Sequence, residues 1–83
     1  MAKYNDIKGA LDFIRQGYSK DEAPFGFTVS DIAGAINTSE KKAQHVLETI
    51  NDRAYFWNGN FPGKNDSFIV SPQVFERIKN WFN

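Results

Sequence analysis

The sequence predicts a single small α+β domain, residues 1–83, with about four helices and one two-stranded β-hairpin. Apolar residues recur at three- and four-residue steps in four stretches, as they do on the buried side of amphipathic helices. Two short runs of β-forming residues also flank a polar loop. At 83 residues the chain has room for one domain, and its 41% hydrophobic and 16% aromatic content suits a dense core.

The first helix is predicted over residues 4–16, and Gly17 suits its end because glycine readily adopts the left-handed conformation found after helices. A connector follows over residues 18–27. It is too apolar for a free linker, so we expect Phe25 or Phe27 to fold back onto the core. The buried side of the helix is expected to consist of Tyr4, Ile7, Ala10, Leu11 and Ile14.

Two more helices are predicted, separated by a tight turn. Thr28 or Ser30 supplies the N-cap oxygen of the second helix, and Asn37 interrupts it because asparagine tolerates a left-handed backbone. The third helix begins at position 38 or 39 and ends near 51 or 52. The expected buried residues are Ile32, Ala33 and Ile36 in the second helix, and Ala43, Val46, Leu47 and Ile50 in the third.

The remaining sequence predicts a hairpin and a last helix. Aromatic residues at 54–58 and β-formers at 67–70 form its strands, and the polar loop 59–66 joins them. Ser71 and Pro72 then give an N-cap and a first helical residue of the favoured types. The apolar side of the last helix is expected to contain Val74, Phe75, Ile78, Trp81 and Phe82.

Charge and cysteine content exclude several classes of function. Ten basic residues balance ten acidic ones, so the chain is not a strongly basic nucleic-acid binder. The absence of cysteine excludes a disulfide scaffold, a thiol nucleophile and cysteine-based metal sites. No apolar run approaches the roughly 18 residues of a membrane span, and no signal segment begins the chain. We therefore expect a cytoplasmic protein without membrane, metal or cofactor.

The sequence also argues against an enzyme. His45 is the one histidine, and Glu48 lies one helical turn after it, so an exposed charge pair accounts for both residues. The segment Gly59–Lys64 has three residues between its glycines, whereas a phosphate-binding loop requires four and a following helix. No catalytic residues are therefore predicted.

The stretch Thr28–Ile50, TVSDIAGAINTSEKKAQHVLETI, resembles the helix-turn-helix of winged-helix DNA-binding domains. Ala33 is small where two helices cross closely, Asn37 stands where the family usually has glycine, and Ser39 opens the second helix of the motif. Thr38 departs from the family, in which this turn position is usually apolar. The resemblance implies an α+β winged helix-turn-helix fold.

The resemblance extends to the order of elements over residues 4–82. It places the helix-turn-helix at about 28–51 and a hairpin wing at about 54–70. In this family the helix at about 39–51 enters the major groove of double-stranded DNA. The implied DNA-binding residues are Ser39, Lys41, Lys42, Gln44 and His45 on that helix, Thr28 and Ser30 at the start of the helix before it, and Asn60 and Lys64 in the wing. A small transcription regulator is the implied function.

The third helix is neutral in sequence, which keeps a second function open. Neutralisation of phosphate supplies most non-specific DNA affinity, so DNA binding would rest on a local face or on a homodimer. The alternative is a winged-helix module, an adaptor or inhibitor, that binds a protein partner and no DNA. Aromatic side chains would form its interface, since they are enriched in binding hot spots. The candidates are Phe61, Trp57, Trp81 and Phe82. The alternative for Phe61, Trp81 and Phe82 is that they fold over the edge of a thin core.

Overall fold

The computed structural model describes residues 4–56 and 67–81. In this part of the chain four helices accompany a two-stranded antiparallel sheet, which confirms the α+β class. The elements in chain order are α1 (Tyr4–Gly17), β1 (Phe25–Phe27), α2 (Val29–Ala35), α3 (Glu40–Ala54), β2 (Phe68–Val70) and α4 (Pro72–Ile78).

Side-chain caps set the start of three helices. The Thr28 hydroxyl accepts from the Asp31 backbone N–H, and the Asp31 carboxylate accepts from the Thr28 N–H, which together form a capping box on α2. Ser39 caps α3, while Ser71 caps α4 with Pro72 at the first helical position. Each cap satisfies a backbone N–H that has no partner inside its helix, so these boundaries are encoded locally.

The turn between α2 and α3 is tight and depends on Asn37. This residue has a φ of 55°, in the left-handed region that asparagine tolerates better than most residues. The Thr38 N–H donates to the Ala33 carbonyl across the turn at 3.0 Å. α3 is thereby brought directly against α2, as the sequence predicts.

The core is formed by apolar residues from all six elements, and it includes most of the predicted positions. Tyr4 is an exception: it is 54% exposed, so its predicted place on the buried side of α1 is wrong. That side begins one turn later at Ile7, and the amphipathic tyrosine stays at the surface. The fully buried large side chains are Phe27, Phe68, Leu11, Ile14, Ile32, Leu47, Ile50, Ile78, Val29, Val46 and Val70.

The sheet differs from the predicted hairpin. β2 confirms the strand expected at 67–70, but its partner is β1, in the region predicted as a connector. Phe25 pairs with Val70 and Phe27 with Phe68. The rings of Phe27 and Phe68 stack with centroids 5.3 Å apart, so aromatic packing across the strands stabilises a pairing between distant segments. β1 was missed because Pro24 and Gly26, which are typical of loops, interrupt its short apolar run.

The first strand of the predicted hairpin is not found at residues 54–56, so this part of the prediction is wrong. Ala54 is buried in the last turn of α3, which extends beyond the predicted end at 51–52. Asn51 remains helical, and its side-chain oxygen accepts from the Phe56 N–H after the helix has ended. Tyr55 follows α3 with a φ of 54°. Tyr55 and Phe56 are not in a strand, and the rest of the predicted wing at 57–66 lies outside the described residues.

A close approach to Gly17 allows β1 to pack against α1. A Cβ atom at Gly17 would overlap the ring of Phe25. The same ring lies 6.1 Å from that of Phe13 on α1 and 6.0 Å from that of Phe27. The apolar connector residues therefore do fold back onto the core, as the sequence predicts.

Candidate nucleic-acid interface

α3 presents one side to the core and the other to solvent. Ala43, Val46 and Leu47 are buried against the neighbouring helices, and this orients the opposite side outward. Lys41 is exposed, and so are Gln44 and His45 one helical turn after it. The structure therefore brings these three predicted residues together on one accessible face. Ser39 is also exposed beside them, but its hydroxyl is already engaged as the N-cap of α3.

Lys42 is directed differently from the other predicted residues of α3. Its Nζ atom lies 3.3 Å from Asp6 Oδ2 on α1, and the two side chains are 43% and 19% exposed. The contact has ion-pair distance without hydrogen-bond geometry, so Asp6 Oδ2 has no hydrogen bond within the described residues. The ammonium group therefore compensates a largely buried carboxylate and joins α3 to α1.

The electrostatic character of the outer side changes along α3. Lys41 is exposed in the first turn, whereas Glu48 and Asp52 are exposed in the second half. Glu48 Oε2 lies 3.5 Å from His45 Nδ1, so this carboxylate would pair with a protonated imidazole. Lys41 is thus the exposed cation in the first half of α3, and Arg53 is exposed in its last turn next to Asp52. The pattern agrees with the expectation that any DNA contact rests on a local face.

At the start of α2, some polar groups already form hydrogen bonds within the protein. The capping box uses both the Thr28 hydroxyl and the Thr28 backbone N–H. Asp31 also places a carboxylate at this end, where it would repel a phosphate. Ser30 is exposed in the first turn. Of the two residues predicted here, Ser30 is the more accessible to a ligand.

The aromatic residues divide between core and surface. Phe25 and Phe56 pack partly buried around the core. Trp81 is also partly buried, under the guanidinium of Arg53 at 4.2 Å from the ring centroid. The other proposed interface aromatics, Trp57, Phe61 and Phe82, and the predicted wing residues Asn60 and Lys64, lie outside the described residues.

Sequence reasoning missed a cluster at the junction of α3 and α4. Arg77 lies with its guanidinium 5.3 Å from the ring centroid of Tyr55 and donates to the Ala54 carbonyl at 3.2 Å. Arg53 lies on Trp81 beside this pair. The arginines are 24 positions apart, so only the docking of α4 on α3 reveals the cluster. Tyr55, which is exposed directly after α3, belongs to this cluster, but the sequence alone does not show that an arginine packs on it.

Within residues 4–56 and 67–81, no cluster of metal-ligating side chains and no helix long and apolar enough to cross a membrane is found. No family model, curated protein sequence or solved structure matches the chain.

Proposed function

We propose that this chain is a winged-helix protein that binds double-stranded DNA through the first half of α3, in the role of a small transcription regulator. The observation that carries the proposal is the shared exposure of Lys41, Gln44 and His45 on a helix that follows a tight turn. Lysine can contact phosphate or guanine, and glutamine can form two hydrogen bonds to adenine in the major groove.

The order of elements supports the winged-helix assignment. A strand precedes the two helices of the turn motif, and β2 returns after α3 to pair with that strand. This arrangement packs the turn motif against α1, and α3 also against α4. It leaves the outer side of α3 uncovered by the other described elements, as insertion into a groove requires.

The charges predict weak, salt-dependent binding by the monomer. Of the two lysines at the start of α3, Lys42 is engaged with Asp6 and Lys41 is free for a phosphate. Each neutralised phosphate contributes about −0.9 to the slope of log K against log salt. We therefore expect a slope of about −1 to −2 from this face, and a homodimer would double it.

The test compares wild type with Lys41→Gln and with Lys20→Gln as a matched control. Lys20 is an exposed lysine outside the turn motif, and its replacement changes the net charge equally. Fluorescence anisotropy with a labelled duplex, at 20–200 mM salt, gives affinity and slope. We expect Lys41→Gln to reduce the magnitude of the slope by about 1 and Lys20→Gln to leave it unchanged.

Two outcomes would contradict the proposal. One is the absence of duplex binding by wild type at the lowest salt, which the protein-binding alternative predicts. The other is an equal effect of both substitutions, which would show attraction by overall charge without a defined face.

A further inference from the structure

The junction of α3 and α4 carries two arginines whose guanidinium groups are held against aromatic rings. Arg53 lies over Trp81 at 4.2 Å, and Arg77 lies near Tyr55 at 5.3 Å. Arg77 also donates a hydrogen bond of 3.2 Å to the Ala54 carbonyl. Its guanidinium therefore lies at residues 53–55, the segment that contains Arg53. We call Arg53, Tyr55, Arg77 and Trp81 the arginine–aromatic patch.

The support beneath this patch is ordered. Arg15 on α1 donates to the carbonyls of Ile78, at 2.7 Å, and Trp81. These bonds hold the chain after α4 in place, so the indole remains under Arg53. A guanidinium held on a ring loses less conformational freedom on binding than a free lysine does. The guanidinium groups of the patch are therefore preorganised for ligand binding.

Neither Arg53 nor Arg77 forms an ion pair with a carboxylate within the described part of the chain. The acidic neighbours in sequence do not supply one: Glu76 pairs with Lys79 at 2.5 Å, and Asp52 is exposed without pairing to Arg53. Both arginines are exposed. Their remaining N–H groups are therefore open to a negative group of a ligand, as judged from residues 4–56 and 67–81.

We propose that the arginine–aromatic patch is a docking site for an acidic segment of a partner protein. The planar guanidinium matches a carboxylate through two parallel hydrogen bonds, and arginine with aromatic residues is enriched in protein-binding hot spots. Stacking of nucleic-acid bases is disfavoured, because guanidinium groups already cover one face of each ring. Carboxylates are the groups that the exposed N–H edges can still bind.

The position on α3 separates this patch from the proposed DNA face. Arg53 follows Lys41 by twelve residues, which corresponds to about 18 Å along a helix. Twelve residues also rotate the side chain by about 120° around the axis. An acidic segment on the patch therefore leaves Lys41 and Gln44 accessible, so one molecule has room for DNA and a protein partner together.

The test uses NMR of the full-length ¹⁵N-labelled chain, titrated with a decapeptide of alternating glutamate and glycine. The matched glutamine–glycine peptide is the neutral control. We expect the glutamate peptide alone to shift the Arg53 and Arg77 Nε–H signals and the Trp81 indole N–H signal. No shift, or shifts centred on Lys41 and Gln44, would overturn the proposal.

Two charge-matched variants test the site against general attraction. Arg53→Gln/Arg77→Gln removes two positive charges from the patch, and Lys20→Gln/Lys41→Gln removes two from elsewhere. We expect the first to weaken peptide binding about tenfold and the second by less than about twofold. Equal weakening would overturn the site. If the first variant instead lost duplex DNA in parallel with the peptide, the patch would belong to a DNA footprint and the protein-docking proposal would fail.

Arg53→Lys/Arg77→Lys keeps the charge and so gives a test if the glutamine variant unfolds. Lysine lacks the planar fork and is held less well on a ring, so we expect about threefold weaker peptide binding with an unchanged thermal midpoint. Binding equal to wild type would show that point charges suffice and would refute the role assigned to the guanidinium groups.

Discussion

The two ends of α3 handle positive charge in different ways. At the start, Lys41 extends into solvent and Lys42 compensates Asp6 on α1. At the end, Arg53 lies on a tryptophan ring, and Arg77 arrives from α4 to cap the Ala54 carbonyl. The acidic and basic residues of α3 are equal in number, so its net charge is zero. Each end of the helix nevertheless has its own cationic surface. Tertiary partners, more than composition, decide where a charge acts.

The largest effect is expected from a substitution in the buried middle of α3, on which both ends of the helix depend. Leu47 is fully buried at the middle of α3, and Leu47→Ala should destabilise the fold by about 2–5 kcal/mol through lost burial and a cavity. Urea unfolding measures this change. The exposed neighbour provides a control, since Glu48→Ala should stay within about 0.5 kcal/mol of wild type. Similar midpoints for both variants would contradict the packing described for α3.

A smaller effect is expected from loosening the segment at the end of α4, which carries the Trp81 ring under Arg53. Arg15→Ala removes the guanidinium that donates to the Ile78 and Trp81 carbonyls and should cost about 1–3 kcal/mol, while the Trp81 N–H still donates to Ile78. In a Trp57→Phe background, Trp81 is the one remaining tryptophan, so its fluorescence reports the loss of ordered packing.

The control for this loosening is Lys8→Ala, because Lys8 is on the same helix in a half-exposed pair with Asp12. It should alter stability by less than about 0.5 kcal/mol and leave the Trp81 spectrum unchanged. Identical Trp81 spectra in wild type and Arg15→Ala would show that Arg15 does not hold the patch.

The smallest effect concerns the start of α3. A double-mutant cycle of Asp6→Asn and Lys42→Gln should give a coupling energy of about 0.5–1 kcal/mol, as expected for a partly exposed ion pair. Asp6→Asn alone should also strengthen duplex binding, because Lys42 becomes available to phosphate. A coupling energy of zero would mean that the lysine is not committed to Asp6, and the difference between the two ends would then disappear.

The local rules of the sequence were sufficient for much of the fold. Ser39, Ser71 and Asn37 act through their own backbone and their neighbours, so the starts of α3 and α4 and the turn between α2 and α3 follow from a few residues. The apolar spacing of α1 and α3 is similarly local, and their buried residues agree with it. Capping and periodicity are encoded within one or two helical turns.

Features that depend on contacts between distant parts of the chain could not be predicted from the sequence. The sequence gives β2 a strand composition but does not name Phe25–Phe27 as its partner. It likewise identifies Lys42 as a cation on α3, whereas its proximity to Asp6 depends on how α1 packs. The pairing of Arg77 with Tyr55 depends on the docking of α4. The outward position of Lys41, Gln44 and His45 was predictable, because it follows from the buried side of one helix.

The sheet has a consequence for the order in which the chain folds. Phe25 pairs with Val70, 45 positions later, and α2 and α3 both lie between them. Closing so long a segment loses conformational entropy before the strands gain their contacts. We therefore expect the helices to form first and the strands to join late, with substitutions at Phe68 acting mainly on the unfolding rate. The sheet therefore slows unfolding once the helices have packed.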